Sequence, residues 1–236
     1  NSFCTLLCKM GKLVFDLDNT LYSFNETGFS GDMRERIHKW FEQSLKLSPE
    51  AAVALSNQYY KEYGLSARGL KIHHGEADLE GYLKFVHDLD LTKLTACPQL
   101  RVMLESAAAA GWEMWVMTNG TRKHADDVLV ALGVADLFGS RVYDCRDQWA
   151  ASAPGEVHNK PEQSAYEGFA KHSKAQPGET MVMIEDSMMN LHAPAALGWV
   201  PVWISYGQDL PADAEPKSRV IKTILELPLA LEGLTP

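Results

Sequence analysis

Four short apolar runs punctuate the chain, each followed by a polar or glycine-bearing turn and then a helical pattern. They are Leu13-Val14-Phe15, Met114-Trp115-Val116-Met117, Met181-Val182-Met183-Ile184 and Val200-Pro201-Val202-Trp203-Ile204. Continuous apolar runs of this length fit strands buried on both faces, as in a parallel sheet covered by helices. A weaker strand, Arg141-Val142-Tyr143, fits between the second and third. Helical patterns fall between the strands at 99–110, 123–132, 161–172 and 189–197. The alternation predicts a Rossmann-like, doubly wound α/β core.

One interval breaks the alternation. Between the first strand and Gln99 lie about 80 residues without a strand signal, too long for a simple connection. Segments 33–45, 49–63 and 79–88 read as helices, with Ser48-Pro49 as a capping start and Gly64 as a stop. The expected organisation is an α/β core from residues 1–24 and 97–236 with an inserted α-helical cap domain at 25–96. Residues 211–217 read as a surface loop.

Bulk composition narrows the function classes. The 236 residues are 46% hydrophobic and 22% charged, enough for a sizeable core. A formal net charge of −9 argues against a general binder of nucleic-acid polymers or membrane surfaces. The four cysteines, Cys4, Cys8, Cys97 and Cys145, form no Cys-x-x-Cys pair and no zinc-finger spacing. They read as small buried or incidental residues. Residues 1–10 lack the apolar run of a signal peptide, and the absent initiator Met suggests a trimmed end. The expectation is a soluble cytoplasmic protein, monomeric or homodimeric.

The candidate chemistry sits where apolar runs end. Asp16 and Asp18, in Asp16-Leu17-Asp18-Asn19-Thr20, follow the first strand directly. Residues two apart in extended backbone face one side, so both carboxylates can face a pocket at the strand's carboxyl end. Crowded carboxylates attract a hard cation such as Mg²⁺, which brings substrate phosphate with it. A polar turn is the bland alternative. Thr118-Asn119-Gly120 ends the second strand and offers a hydroxyl and backbone N–H groups to phosphoryl oxygens, although such residues also cap ordinary helices. Lys160, before Pro161 at a helix start, would offset phosphate charge, whereas a lone lysine is more often solvated. Glu185-Asp186-Ser187 ends the third strand, where buried acids are costly unless paired or metal-bound. Asn190, one turn on, could orient the acids or Lys160. Acid pair, hydroxyl, lysine and acid pair, in that order, fit phosphoryl transfer.

These four motifs, Phe15-Asp16-Leu17-Asp18-Asn19-Thr20-Leu21-Tyr22, Thr118-Asn119-Gly120, Asn159-Lys160-Pro161 and Ile184-Glu185-Asp186-Ser187, resemble those of the haloacid dehalogenase-like (HAD) superfamily of phosphatases. A narrower likeness joins 58–66, Gly69-Leu70, Phe85-Val86-His87-Asp88 and Ile224-Leu225-Glu226-Leu227-Pro228 to the pyrimidine 5′-nucleotidase group. The resemblance implies that Asp16 attacks phosphorus and that Asp18 protonates the leaving alcohol, then activates water. It implies that Thr118 and Asn119 hold phosphoryl oxygens while Lys160 stabilises developing charge. It further implies Mg²⁺ held by Asp16, Asp186 and the Asp18 carbonyl, with Glu185 in direct or water-mediated contact. Asp18 argues against the dehalogenase branch, which needs no acid for an alcohol. Two departures stand out: Asn190 replaces an acid common in the superfamily, and the segment 145–158 is longer than usual, as a rim loop or plain surface.

The cap should choose the substrate. Tyr59, Tyr63, Arg68, His73 and His87 are candidates for contact with a base or sugar, with Arg68 foremost; tyrosines in helix packing and His73-His74 as a solvated turn are the alternatives. Trp40 and Trp112 read as core. The expected substrate is a small phosphate ester, a pyrimidine nucleoside 5′-monophosphate before a sugar phosphate. A non-catalytic phosphate-binding regulator on this scaffold should lack the nucleophile, the acid or the lysine, and all three are present.

Overall fold

The computed structural model describes residues 11–75, 77–152, 156–212, 214–215 and 217–236. Cys4, Cys8 and the N-terminal decapeptide lie outside them, as do parts of the segments 145–158 and 211–217. Six parallel strands form one sheet in the order β3-β2-β1-β4-β5-β6: β1 Lys12–Phe15, β2 Glu113–Met117, β3 Val142–Tyr143, β4 Met181–Glu185, β5 Val200–Ile204 and β6 Arg219–Ile221. β6 has no apolar run to announce it, because its short edge position leaves Val220 half exposed.

Period-2 alternation explains how apolar runs serve two helical layers. Leu13, Phe15, Val116, Ile184 and Ile204 face one layer, built from α6 (Pro98–Ala109), α7 (Arg122–Ala131) and α12 (Leu227–Ala230). Val14, Trp115, Met117, Met183 and Trp203 face the other, where Tyr166 and Phe169 of α10 (Gln163–His172) pack. The buried start of β1 is neutralised: Lys12 Nζ lies 2.9 Å from Glu179 and 2.5 Å from Glu113.

Between β1 and β2 the chain forms a helical insert: α1 Phe24–Thr27, α2 Phe29–Leu45, α3 Pro49–Tyr63, α4 Ser66–His73 and α5 Leu79–Val86. Ser48 caps α3 by accepting from Ala51 N, Pro49 occupies its first turn, and Gly64 ends it at φ 71°. The expected Ser48-Pro49 start and Gly64 stop are therefore present. Phe41, Tyr59, Leu70, Tyr82 and Leu83 form the insert's own core. Cys145 joins that core from α9 (Cys145–Ala150), and Arg146 pairs with Glu80 of α5. The segment before Lys160 is thus no plain surface loop: an Asp144 capping box starts a helix that bridges insert and sheet domain. Trp112 is buried as expected, whereas Trp40 is only half-buried.

Candidate active site

β1 and β4 are neighbours although β2 and β3 separate them in sequence, so the sheet reverses its strand order beside β1. Ligands of open α/β sheets bind outside the carboxyl ends of strands at such a point. Asp16 lies there, one residue past β1, with Thr118 from β2 on one flank and Glu185 from β4 on the other.

Lys160 neutralises part of this cluster. Its Nζ donates to Asp16 Oδ1 at 2.5 Å and to Glu185 Oε2 at 2.8 Å, and the side chain is 1% exposed. The lysine is not on a strand end but in the turn between α9 and α10, and several groups pin that turn. Its backbone N–H donates to Gln148 Oε1 at 3.1 Å and to Asn119 Oδ1 at 3.2 Å, while Asn119 Nδ2 returns a bond to Lys160 O at 3.0 Å. Gln148, at the buried face of α9, also donates to Thr118 O at 2.7 Å. The Asn119 side chain is therefore a clamp on the Lys160 backbone. The Thr118 hydroxyl is buried and accepts from Gly120 N at 2.9 Å, leaving its own proton to donate.

Ligand atoms of Asp16, Glu185 and Asp186 lie within 4.8 Å of one another. Asn19, held at φ 62°, donates to Asp186 Oδ2 at 2.6 Å and pins the turn after Asp18 by accepting from Phe24 N. Asparagine tolerates this left-handed conformation better than most residues. Burial, then the Glu185 charge, pushes the Asp16 carboxyl up to about 7, against the pull of Lys160. Burial and the same acidic neighbours push Asp186 well up. Three crowded oxygen donors with a surplus of negative charge are the set a hard divalent cation takes. Glu185 has both oxygens engaged, by Lys160 and by Ser187 N at 3.2 Å, so direct contact with a cation would displace one of these donors.

Asp18 lies in different surroundings. Its Oδ1 accepts from Tyr22 Oη at 2.5 Å and from His124 Nε2 at 2.7 Å. Burial alone would raise this carboxyl, but the charge and hydrogen bond of His124, the charge of His87 and the hydrogen bond of Tyr22 together hold it down to about 2. Sequence reasoning missed His124 and Tyr22. The available signal was Thr121, which caps α7 by accepting from His124 N and so sets the histidine on the first turn beside the β2 end.

The insert's candidates divide. Arg68 pairs with Glu162, the N-cap of α10, and its guanidinium lies 5.7 Å over the Tyr63 ring, so its charge ties insert to core instead of standing free for a substrate. Tyr63 Oη bonds His73 Nε2 at 2.8 Å, and His73 stacks on Tyr59 at 5.1 Å, which makes these three rings a cluster within the insert. Tyr60, absent from the expected set, behaves differently: it is half exposed, and burial followed by the charges of Asp186, Glu185 and Asp16 pushes its hydroxyl up. Gly64, one turn later on the same face, sits against Pro161; a Cβ there would come within 2.4 Å of the proline ring. Asn190 does not orient the acids through a hydrogen bond among the described residues; its carbonyl accepts from Tyr166 Oη at 2.6 Å. A cavity of about 920 Å³ opens beside His87 and His124, walled by Trp40 and Phe85, and none of the three clustered acids lines it.

Residues 13–198 match the haloacid dehalogenase-like hydrolase family. The chain belongs to that family. This hydrolase is 26% identical over 234 residues to phosphate metabolism protein 8 of Saccharomyces cerevisiae, covering 92% of this chain and 71% of that protein. Its fold is similar to a HAD phosphatase from Thermococcus onnurineus, with a TM-score of 0.58 and 22% identity over 95% of this chain and 99% of the other. It is also similar to L-2-haloacid dehalogenase from Xanthobacter autotrophicus with chloropropionic acid covalently bound, with a TM-score of 0.60 and 13% identity over 96% and 100% of the two chains. The helical insert between β1 and β2 of a parallel sheet is common to this fold. Among the described residues, no helix is long and apolar enough to cross a membrane.

Proposed function

We propose that this hydrolase is a magnesium-dependent phosphatase of small phosphomonoesters, acting through an aspartyl-phosphate on Asp16. The observation that carries the reading is Asp18, a carboxylate on the same loop as Asp16 and gripped by Tyr22 and His124. A halide departs without a proton, whereas an alkoxide needs one, so a positioned carboxyl beside the nucleophile serves ester cleavage and not dehalogenation.

Asp16 attacks phosphorus, the bond to the ester oxygen breaks, and Asp18 gives that oxygen a proton. Water then attacks the aspartyl-phosphate, its proton passes to Asp18, and the bond between phosphorus and the Asp16 oxygen breaks to release phosphate. The incoming phosphate charge favours the protonated form of Asp18 for the first half, and its donors favour the ionised form for the second. Lys160 screens Asp16 from Glu185 and lies where it can meet equatorial oxygen charge, with Thr118 donating from the opposite flank. Asp16, Asp186 and the Asp18 carbonyl would hold Mg²⁺, with Glu185 acting through Lys160 or a water. The bound ion supplies positive charge to the phosphoryl oxygens.

A pyrimidine nucleoside 5′-monophosphate is the substrate proposed first, on the likeness of the insert's sequence to the pyrimidine 5′-nucleotidase group. Tyr60 of α3, whose hydroxyl responds to the charge of the clustered acids, is the insert residue proposed to meet the substrate, with Arg68 in support through Glu162. Phosphate release with Mg²⁺ from UMP, CMP, purine nucleotides and sugar phosphates tests both levels. Preference for UMP and CMP supports the full reading, and equal rates on all esters would reduce it to a general phosphatase. Chloride release from 2-chloropropionate without phosphate release would overturn it.

A further inference from the structure

His124 stands on the first turn of α7, 3% exposed, and its Nε2 donates to Asp18 Oδ1 at 2.7 Å. Its other nitrogen, Nδ1, is buried with no hydrogen-bond partner among the described residues. What holds the ring is instead His87, from the end of α5 in the insert. The two imidazoles pack with centroids 4.6 Å apart and planes 33° from parallel. His87 is itself fixed, because its Nδ1 donates to Leu83 O at 2.8 Å. Gly120 forms the floor beneath both rings: a Cβ there would lie 3.2 Å from His124 Cδ2, 3.2 Å from Thr118 Oγ1 and 3.4 Å from His87 Nε2. The lack of a side chain at Gly120 thus leaves room for the two imidazoles side by side.

The consequence concerns orientation. Tyr22 lies on the same loop as Asp18 and moves with it, whereas His124 belongs to another element and fixes the carboxylate relative to the sheet. His87 belongs to neither, but to the insert. We propose that His124 is the positioning residue for Asp18 and that His87 braces it, so that seating of the insert on the core sets the aim of the acid/base group. This rests on the phosphatase reading and deepens it, since it names the device that aims the proton at the leaving oxygen. A misaimed acid harms only a reaction that needs the proton. An alkyl phosphate does, and a nitrophenyl phosphate, whose phenolate leaves unaided, does not.

The test compares kcat/KM, which reports the first half-reaction, on an alkyl nucleotide and on p-nitrophenyl phosphate. The enzymes are wild type, His124→Leu, His124→Gln, Asp18→Asn and the Asp18→Asn/His124→Leu double variant, each checked for folding by circular dichroism. His124→Leu should lose about 100-fold on the alkyl ester and only a few-fold on the aryl ester. His124→Gln, which keeps a donor, should recover most of the loss even if His124→Leu folds poorly. The double variant should lose little more than Asp18→Asn alone, because the two residues act as one unit. His87→Phe, which keeps a ring against His124, should exceed His87→Ala on the alkyl ester alone. Equal losses on both esters, or additive losses in the double variant, would overturn the proposal while leaving the phosphatase reading intact. A folded wild-type protein inactive on every ester would instead overturn that reading and the proposal with it.

Discussion

Asp16 and Asp18 are two residues apart on one loop, yet their surroundings push them in opposite directions. Burial and the Glu185 charge drive Asp16 up to about 7, and Lys160 offsets only part of that push. Asp18 is partly buried, but His124, His87 and Tyr22 hold it at about 2. Two identical side chains acquire different chemistry from the elements that meet them: β4 brings acids to one, and α7 brings an imidazole to the other. Such a separation is how a site assigns different roles to paired carboxylates. In the mechanism we propose, the crowded carboxyl meets a cation and acts as the nucleophile, and the one gripped by donors handles protons.

The largest way to break this comparison is to remove Asp16, the proposed nucleophile. Asp16→Asn should lower turnover by at least about 1,000-fold, with the far-ultraviolet spectrum unchanged. Near wild-type phosphate release from that variant would end the assignment. Lys160→Met should come next. It leaves Asp16 and Glu185 facing each other unscreened, so we expect a loss of about 3–5 kcal/mol in stability in chelator. Activity should fall by about 100-fold or more, because a charge aimed at phosphoryl oxygens is lost. Denaturant melts in EDTA and in Mg²⁺ should show a larger defect in EDTA.

A smaller effect sharpens the contrast by pH. Asp16 has a raised folded-state pKa, so the folded state prefers its proton, and stability falls as pH rises from the ordinary carboxylate range to about 7. Asp18 is depressed, so its contribution is fully present above the ordinary range and is lost only as pH falls toward about 2. Thermal melts between pH 4 and 7 in chelator should therefore decline with pH, and Mg²⁺ should flatten the decline. A slope indifferent to Mg²⁺ would mean that the acids do not share a cation. The smallest effect belongs to the insert: Arg68→Ala should raise KM for a nucleotide by about three- to ten-fold through the lost tie to Glu162, with little change in kcat. An unchanged KM would remove the insert's tie from substrate selection.

How far the sequence discloses this site follows from what each residue does. Asp16, Asp18, Thr118, Glu185 and Asp186 are legible because an apolar run ends abruptly in chemistry-bearing residues, and a strand end has one place to point. Lys160 is legible as a motif, but its depth is not, since Gln148 and Asn119 pin its backbone while its side chain reaches Asp16 from far along the chain. The strands of the sheet centre show as apolar runs, whereas β6 is short and half exposed, and α4 and α9 are too brief for a clear period. His124 carries no pattern of its own and becomes visible only when α7 folds back against the β1 loop. Arg68 illustrates the reverse: a lone cation after a helix stop reads as a ligand contact until Glu162, nearly a hundred residues later, is seen beside it.

The division of labour between the two carboxylates can be read directly by rapid-quench mass spectrometry. Wild type and Asp18→Asn are mixed with Mg²⁺ and p-nitrophenyl phosphate, which needs no acid to leave, and the peptides are mapped. The expected result is a phosphoryl adduct on Asp16 that is transient in wild type and accumulates in Asp18→Asn, because hydrolysis of the intermediate has lost its base. Turnover with no adduct on Asp16 in either protein, or an adduct that Asp18→Asn clears as fast as wild type, would contradict the account.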